Sequence, residues 1–338
     1  MKFNYEATGI GSVPFKDPIH ACRIILDIFK DIPFWPQLPK RSFLENMYTQ
    51  YAEGFPGIVV DEEKKRIYVD EDRAADDIVA FYERYLAKDI DSFAISRERA
   101  EGLYAFLELA KESASGARFI KGHVTGPVSF ALTITDKKKR SIIYDTELFE
   151  CVVKQLAMKT IWQIQKLREI SENIIIFIDE PQLVSIGSGY INIDAKSAKE
   201  KIEELIDVIK AEGVLCGIHC CGNTDWPFLL SRSIDIINFD AYNFIKQFTI
   251  FHRDIKNYLK RGGAIAWGIV PTPNAAVDER GKLVRKIADA VDELASKGID
   301  RETLSSIVTP SCGVGTSEES MAETILRMTG EISADLKK

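Results

Sequence analysis

Sulfur and imidazole are scarce in this chain: its 338 residues include six cysteines and four histidines. So few thiols in so long a sequence exclude a disulfide framework and point to a reducing compartment, where thiols bury, react or bind metal. Long hydrophobic runs are missing as well. No stretch approaches the roughly 18 apolar residues of a membrane span, and the opening MKFNYEATGIGSVPF lacks the apolar core of a signal peptide. Lysine and arginine never cluster among aromatics, DKKKR at Asp136 to Arg140 reads as a solvated loop, and the net charge is -7. Those features exclude nucleic acid as a partner. Internal repeats and low-complexity linkers are absent. The expectation is a soluble, cytoplasmic protein forming one domain over residues 1–338, with 46% hydrophobic residues to build its core.

What the sequence does have is alternation. Strand-like apolar runs occur at Ala7 to Val13, Ile32 to Gln37, Arg118 to Val124, Asn173 to Asp179, Val214 to Cys220, Ile234 to Phe239, Ala264 to Val270 and Ser305 to Thr309. Helical patterns lie between most of them, at Arg73 to Ala87, Glu98 to Ala114, Glu147 to Ile170, Lys196 to Glu212, Lys282 to Lys297 and Glu318 to Leu336. Such alternation signals βα units and a parallel sheet, and eight strands close a barrel. Glu62 to Lys65, between GIVV and RIYV, reads as a hairpin turn. The expected fold is therefore α/β: a single (β/α)8 TIM barrel with a β-hairpin and helices inserted after the second strand, at about residues 57–115. Six of the eight runs end in polar or turn-forming residues, as an active site at the carboxyl ends of barrel strands requires. An open doubly wound sheet is the alternative, but no GxGxxG follows the first strand.

The stretch GIHCCGN, Gly217 to Asn223, concentrates the rare residues. Side chains two apart share one face of a strand, so His219 and Cys221 point together while Cys220 points the other way with Cys216. A third donor, Cys312 in TPSCG, follows the last run and lies near the same rim in a closed barrel. One imidazole and two thiolates form a zinc set, and three protein ligands with an open position is the catalytic arrangement. The alternative for Cys312 is buried packing beside its glycines. Asp240, ending INFD on the next strand, is either a fourth ligand that substrate displaces or a cap on the following loop. Zinc deprotonates a coordinated thiol. Two thiolates and a neutral imidazole cancel its charge, which leaves a bound substrate sulfur electron-rich and favours its attack on a methyl group.

Read together, TGIGSVP, FIDEPQL at Phe177 to Leu183, IHCCGN and TPSCG resemble the catalytic domain of cobalamin-independent methionine synthase, in a form without the amino-terminal folate-holding half. HCCGNT, Phe239-Asp240 and the late cysteine also resemble the methylcobamide:coenzyme M methyltransferases, which share the uroporphyrinogen decarboxylase barrel. The resemblance implies zinc at His219, Cys221 and Cys312, with Asp240 where methionine synthase has a glutamate ligand. It implies that Ile10, Gly11 and Ser12 hold the amino-acid part of a thiol substrate through backbone groups, and that Asp179 pairs with its ammonium. A carboxylate at a strand end suits an ammonium partner; the alternative for Asp179 is an N-cap or a loop hydrogen bond.

Departures from the family pattern shape the functional expectation. Thr133 stands where the folate-dependent enzyme has a tryptophan, Ser185 where it has a glutamate, and WGIVPTPN contains no histidine to donate a proton. Phe43 replaces a glutamate that binds the substrate amine, with Glu45 an off-register substitute. Lys40 and Arg41 nearby either bind an anionic group of the acceptor or form a solvated pair. The expected activity is a zinc methyltransferase carrying a methyl group to a small-molecule thiol such as homocysteine. A methylated corrinoid, on a partner corrinoid protein, is the expected donor, because departing cobalt needs no proton. The rivals are decarboxylation of the uroporphyrinogen type, for which TGIGSVPFKD supplies no arginine, and a zinc- or corrinoid-binding accessory protein without turnover.

Overall fold

The computed structural model describes residues 2–186, 194–272 and 280–338. In chain order the strands are β1 (Asn4–Ala7), β2 (Ile58–Asp61), β3 (Arg66–Val69), β4 (Ile120–Thr125), β5 (Thr135–Asp136), β6 (Ile174–Asp179), β7 (Leu215–Cys220), β8 (Ile236–Phe239), β9 (Ala264–Val270) and β10 (Ser306–Pro310). Seven of them form one curled, all-parallel sheet in the order β1-β10-β9-β8-β7-β6-β4, a TIM-barrel-like arrangement. Continuous apolar runs such as IIIFID in β6 are buried along their whole length, as expected of strands covered on both faces.

Two of the eight expected strands are corrected. The first lies earlier, at Asn4–Ala7 rather than Ala7 to Val13. Beyond Ala7 the chain runs close to other segments through glycines: a Cβ on Gly9 would stand 2.3 Å from the Phe34 ring. The second, Ile32 to Gln37, forms no ladder among the described residues. Pro33 and Pro36 have no N–H to donate, which leaves only isolated parallel bridges, Phe34 to Lys121 on β4 and Gln37 to Ser12 beyond β1. This segment nonetheless sits between the two edges of the seven-stranded sheet.

The hairpin forms as expected, with Ile58 opposite Val69 and Asp61 opposite Arg66. Lys65 takes the left-handed conformation at the end of the turn, φ 48°. A short strand that the sequence did not announce, β5, adds to β3 in parallel. The six expected helices appear at Glu71–Leu86, Glu101–Ser113, Thr146–Leu167, Ala195–Ala211, Arg280–Ser296 and Glu319–Leu336. Aspartates begin several of them: Asp145 accepts from the backbone N–H of Glu147 and Leu148, and Asp70 from those of Asp72 and Arg73.

Apolar packing is divided by the sheet. A large cluster fills the space between strands and helices, and Cys216, Ile218 and Cys220 belong to it. A small cluster of Phe3, Ile32, Phe119, Ile175, Phe177, Ile236, Ala264, Ala266 and Ile307 fills the inside of the sheet. Further along the same strands, buried polar side chains replace apolar ones: Lys121 and His123 on β4, Asp179 on β6, His219 on β7, Asn238 on β8 and Thr309 on β10. Chemistry is thus confined to the carboxyl ends of the strands.

Candidate functional site

His219 sits one residue before the end of β7 and Cys221 just after it, while Cys220 packs into the outer core, as the two-residue strand period requires. Cys312 follows β10 in a turn held by the Ser311 N–H, which donates to the Val270 carbonyl at 2.8 Å. One ligand atom from each of His219, Cys221 and Cys312 lies within 4.8 Å of the other two. The fold brings Cys312 to the other two from far along the chain, at the rim where the sequence pattern puts it.

Asn238 on β8 lies opposite His219 in the ladder and hydrogen bonds its Nδ1 through Oδ1. The amide orientation is fixed, because Asn238 Nδ2 donates to the Ala266 carbonyl at 2.9 Å and to Thr309 Oγ1 at 2.7 Å. Nδ1 therefore carries the proton, and Nε2 presents a lone pair. Nε2 is buried and meets no hydrogen-bond partner. A buried nitrogen without a partner, set beside two sulfurs, fits a metal ligand held by a second hydrogen bond from behind.

The two thiols share one proton between them. A hydrogen bond from Cys312 is the main cause that brings Cys221 down to about 4, and the same contact drives Cys312 up. Burial opposes a charged His219 most strongly, but Cys221, Asp179 and Asn238 together act against it, and the ring's pKa is raised. Cys220, in contrast, is pushed up to about 12 by burial and stays a thiol. The group is thus a preformed thiolate and imidazole set, and a cation is what it suits.

These three residues line a cavity of about 280 Å³ together with Ile10, Ser12, Gln37, Asn46, Met47 and Asp179. Asp179 is 8% exposed, its Oδ1 has no hydrogen-bond partner, and burial pushes its carboxyl up to about 6. Gly11 lies between Ile10 and Ser12, its carbonyl accepting from the Gln37 N–H at 3.0 Å. Ile10, Ser12 and Asp179 thus converge with His219, Cys221 and Cys312 around one space, while Gly11 does not line it.

Other expected site residues fall elsewhere. Glu45 is fully buried beside Arg41, whose Nη1 donates to its Oε1 at 2.6 Å, and it does not line the cavity. Its place in sequence next to Asn46 and Met47 concealed that its side chain turns inward. Arg41 also approaches Glu101, and Lys40 donates to the Ser317 carbonyl at 2.6 Å, so neither is a free cation. Asp240 caps the helix Ala241–Thr249: Oδ1 accepts from the Asn243 N–H at 2.9 Å and Oδ2 from its Nδ2 at 2.7 Å. Its oxygens stand outside the three-residue ligand group. Of WGIVPTPN, the final Pro273 and Asn274 lie outside the described residues.

Three contributors were not singled out from sequence. Asn238 is one, and its only signal is a polar residue inside an apolar strand. Glu180, the middle of D-E-P, is another: Oε1 accepts from the Val128 N–H and Oε2 from the Ser129 N–H, each at 2.9 Å, with Ser129 Oγ donating at 2.6 Å. It ties the end of β6 to the helix Pro127–Thr133 and is pushed up to about 7 by burial. The third is Tyr48, whose hydroxyl hydrogen bonds Thr133 and lies in the field of Glu180, Cys221 and Asp179.

No family model matches the chain, and no curated protein matches it in sequence. Among solved structures, it is similar to a B12-independent methionine synthase from Shewanella sp. W3-18-1 in complex with selenomethionine. The TM-score is 0.58 at 16% identity, over 98% of this chain and 97% of that one. The two chains share a fold. The match covers nearly the whole of both chains.

Proposed function

We propose that the protein is a zinc-dependent methyltransferase whose acceptor is a small thiol, homocysteine foremost. The observation that carries this reading is the convergence of His219, Cys221 and Cys312 on one cavity, with an unpaired carboxylate oxygen of Asp179 facing the same space. His219 Nε2 and the two sulfurs would hold the metal, and Asp240 would join them only by giving up its bonds to Asn243. When bound, zinc lowers the pKa of an entering thiol so that it is present as a thiolate at neutral pH. Asn238 keeps His219 in the tautomer that can ligate. Asp179 receives the acceptor's ammonium, and Ile10, Gly11 and Ser12 offer backbone groups to its remaining polar end. His219, Asn238 and Asp179 are buried, while Cys221 and Cys312 are half-buried on the cavity wall, where an entering thiol can reach them.

The structural neighbour is a methionine synthase, which supports methyl transfer to a thiol, and its B12 independence weighs against a corrinoid as donor. What favours a methylated corrinoid, delivered by a partner corrinoid protein, is in this chain's own residues: Thr133 in place of a tryptophan and no histidine in WGIVPTPN to protonate a folate leaving group.

Turnover of zinc-loaded protein with homocysteine and mercaptoethanesulfonate, each offered methylcobalamin and methyltetrahydrofolate, tests acceptor and donor together. Homocysteine methylation is expected, and Cys221→Ala is expected to lose both zinc and turnover. Full activity in that variant sinks the metal mechanism. Methylation from methyltetrahydrofolate but never from methylcobalamin sinks the corrinoid donor.

A further inference from the structure

A buried ammonium lies beneath the cavity and takes no part in the ligand group. Lys121, on β4, has no exposed surface. Its Nζ donates to the Ile10 carbonyl at 2.5 Å and stands 4.4 Å from the centroid of the Phe177 ring. Burial lowers its pKa to about 8 against the opposing pull of Asp179. An ammonium buried with one hydrogen-bond acceptor is costly, and a cost of that kind calls for a use.

Two residues further along β4, His123 presses on the same segment. Its ring stacks on Trp35 with centroids 4.0 Å apart, and neither ring nitrogen has a partner. A Cβ on Gly11 would stand 2.9 Å from two atoms of that ring, so position 11 accommodates no side chain without displacing it. Lys121 holds Ile10 from below, and His123 supports Gly11 from the side.

The consequence follows from peptide geometry. In a trans peptide the carbonyl and the next N–H point in opposite directions. Drawing the Ile10 carbonyl down to Lys121 therefore turns the Gly11 N–H out of the barrel interior, toward the end where Ile10 and Ser12 line the cavity. Within the described residues no hydrogen bond takes the N–H of Gly11 or of Ser12. We propose that Lys121 is the positioning residue that makes Ile10–Gly11–Ser12 an anion site, and that through it the protein selects an acceptor bearing a carboxylate. The inference rests on the thiol-acceptor reading and names the residue that sets specificity within it.

The test uses the methylated product, so that binding is read without turnover and without metal. Isothermal titration compares methionine with 3-(methylthio)propylamine, which lacks only the carboxylate. Wild-type protein is expected to prefer methionine by at least about tenfold, and Lys121→Met to shrink the preference below about threefold through weaker methionine binding alone. Lys121→Gln, which keeps a donor and loses the charge, serves where Lys121→Met does not fold. Retention of the full preference overturns the proposal, and so does an equal loss for both ligands, the mark of a merely structural lysine. Equal binding of the two ligands by wild type overturns the role of Lys121 and leaves methyl transfer standing. Binding of neither removes the acceptor reading itself.

Discussion

Asn238 fixes which nitrogen of His219 faces the sulfurs, and it does so from a neighbouring strand, with its own amide anchored by Ala266 and Thr309. Asn238→Leu leaves Cys221 and Cys312 in place and frees the imidazole to take the other tautomer. Zinc affinity is expected to fall by about 10- to 100-fold, measured by competition with a chromogenic chelator; unchanged affinity would show that the asparagine does not set the tautomer. The contrast with His219 itself shows what a sequence can reveal at this scale. The two-residue period of a strand suffices to put His219 and Cys221 on one face and Cys220 on the other. Asn238 shows locally only as a polar residue in an apolar run; its pairing with His219 depends on the register between β7 and β8, which no local pattern encodes. Glu45 shows the converse: a carboxylate two residues from the cavity-lining Met47 turns into the core toward Arg41. Neighbourhood along the chain says nothing about that turn.

Between elements, the long helix Thr146–Leu167 is fixed to the rest of the chain by a buried charge. Lys159 Nζ donates to the carbonyls of Ala94, at 3.1 Å, and Phe93, at 3.3 Å, and burial lowers its pKa to about 7. Unfolded, it titrates near its ordinary value, so between about pH 7 and 10 the unfolded chain binds more protons at this site and stability rises with pH. The rise from pH 7 to 9 is on the order of 2 kcal/mol, and Lys159→Met should flatten it by that amount in urea unfolding at the two pH values. Glu180 joins β6 to the helix Pro127–Thr133 in a similar way; Glu180→Ala leaves the Val128 and Ser129 N–H groups buried without an acceptor, at about 1–3 kcal/mol, read from the shift in denaturation midpoint. Strands β4 and β6 to β10 were legible because both faces are buried and their runs are uninterrupted. Ile32 to Gln37 was equally apolar, yet its two prolines remove the donors that a ladder needs, so it contributes a wall without a strand. The small β5 depends on pairing with a distant hairpin and leaves no local trace.

The whole molecule gathers its rare donors at one end of a sheet, and the proposed metal binding there would be linked to global stability. With free zinc a hundredfold above its dissociation constant, the folded state is expected to gain about 2.7 kcal/mol. Thermal unfolding with zinc and with chelator checks this, with Cys221→Ala indifferent to both. The three candidate ligands also come from strands that are not neighbours: His219 from β7, Cys221 from just after it, and Cys312 from the segment after β10. About ninety residues separate Cys221 from Cys312, and closing a loop that long in an unstructured chain carries an entropic penalty. Until β8, β9 and β10 are docked, a nascent chain offers a passing ion only a two-point grip. For the proposed zinc site, metallation would therefore be a late event, and possession of the metal would certify a finished fold.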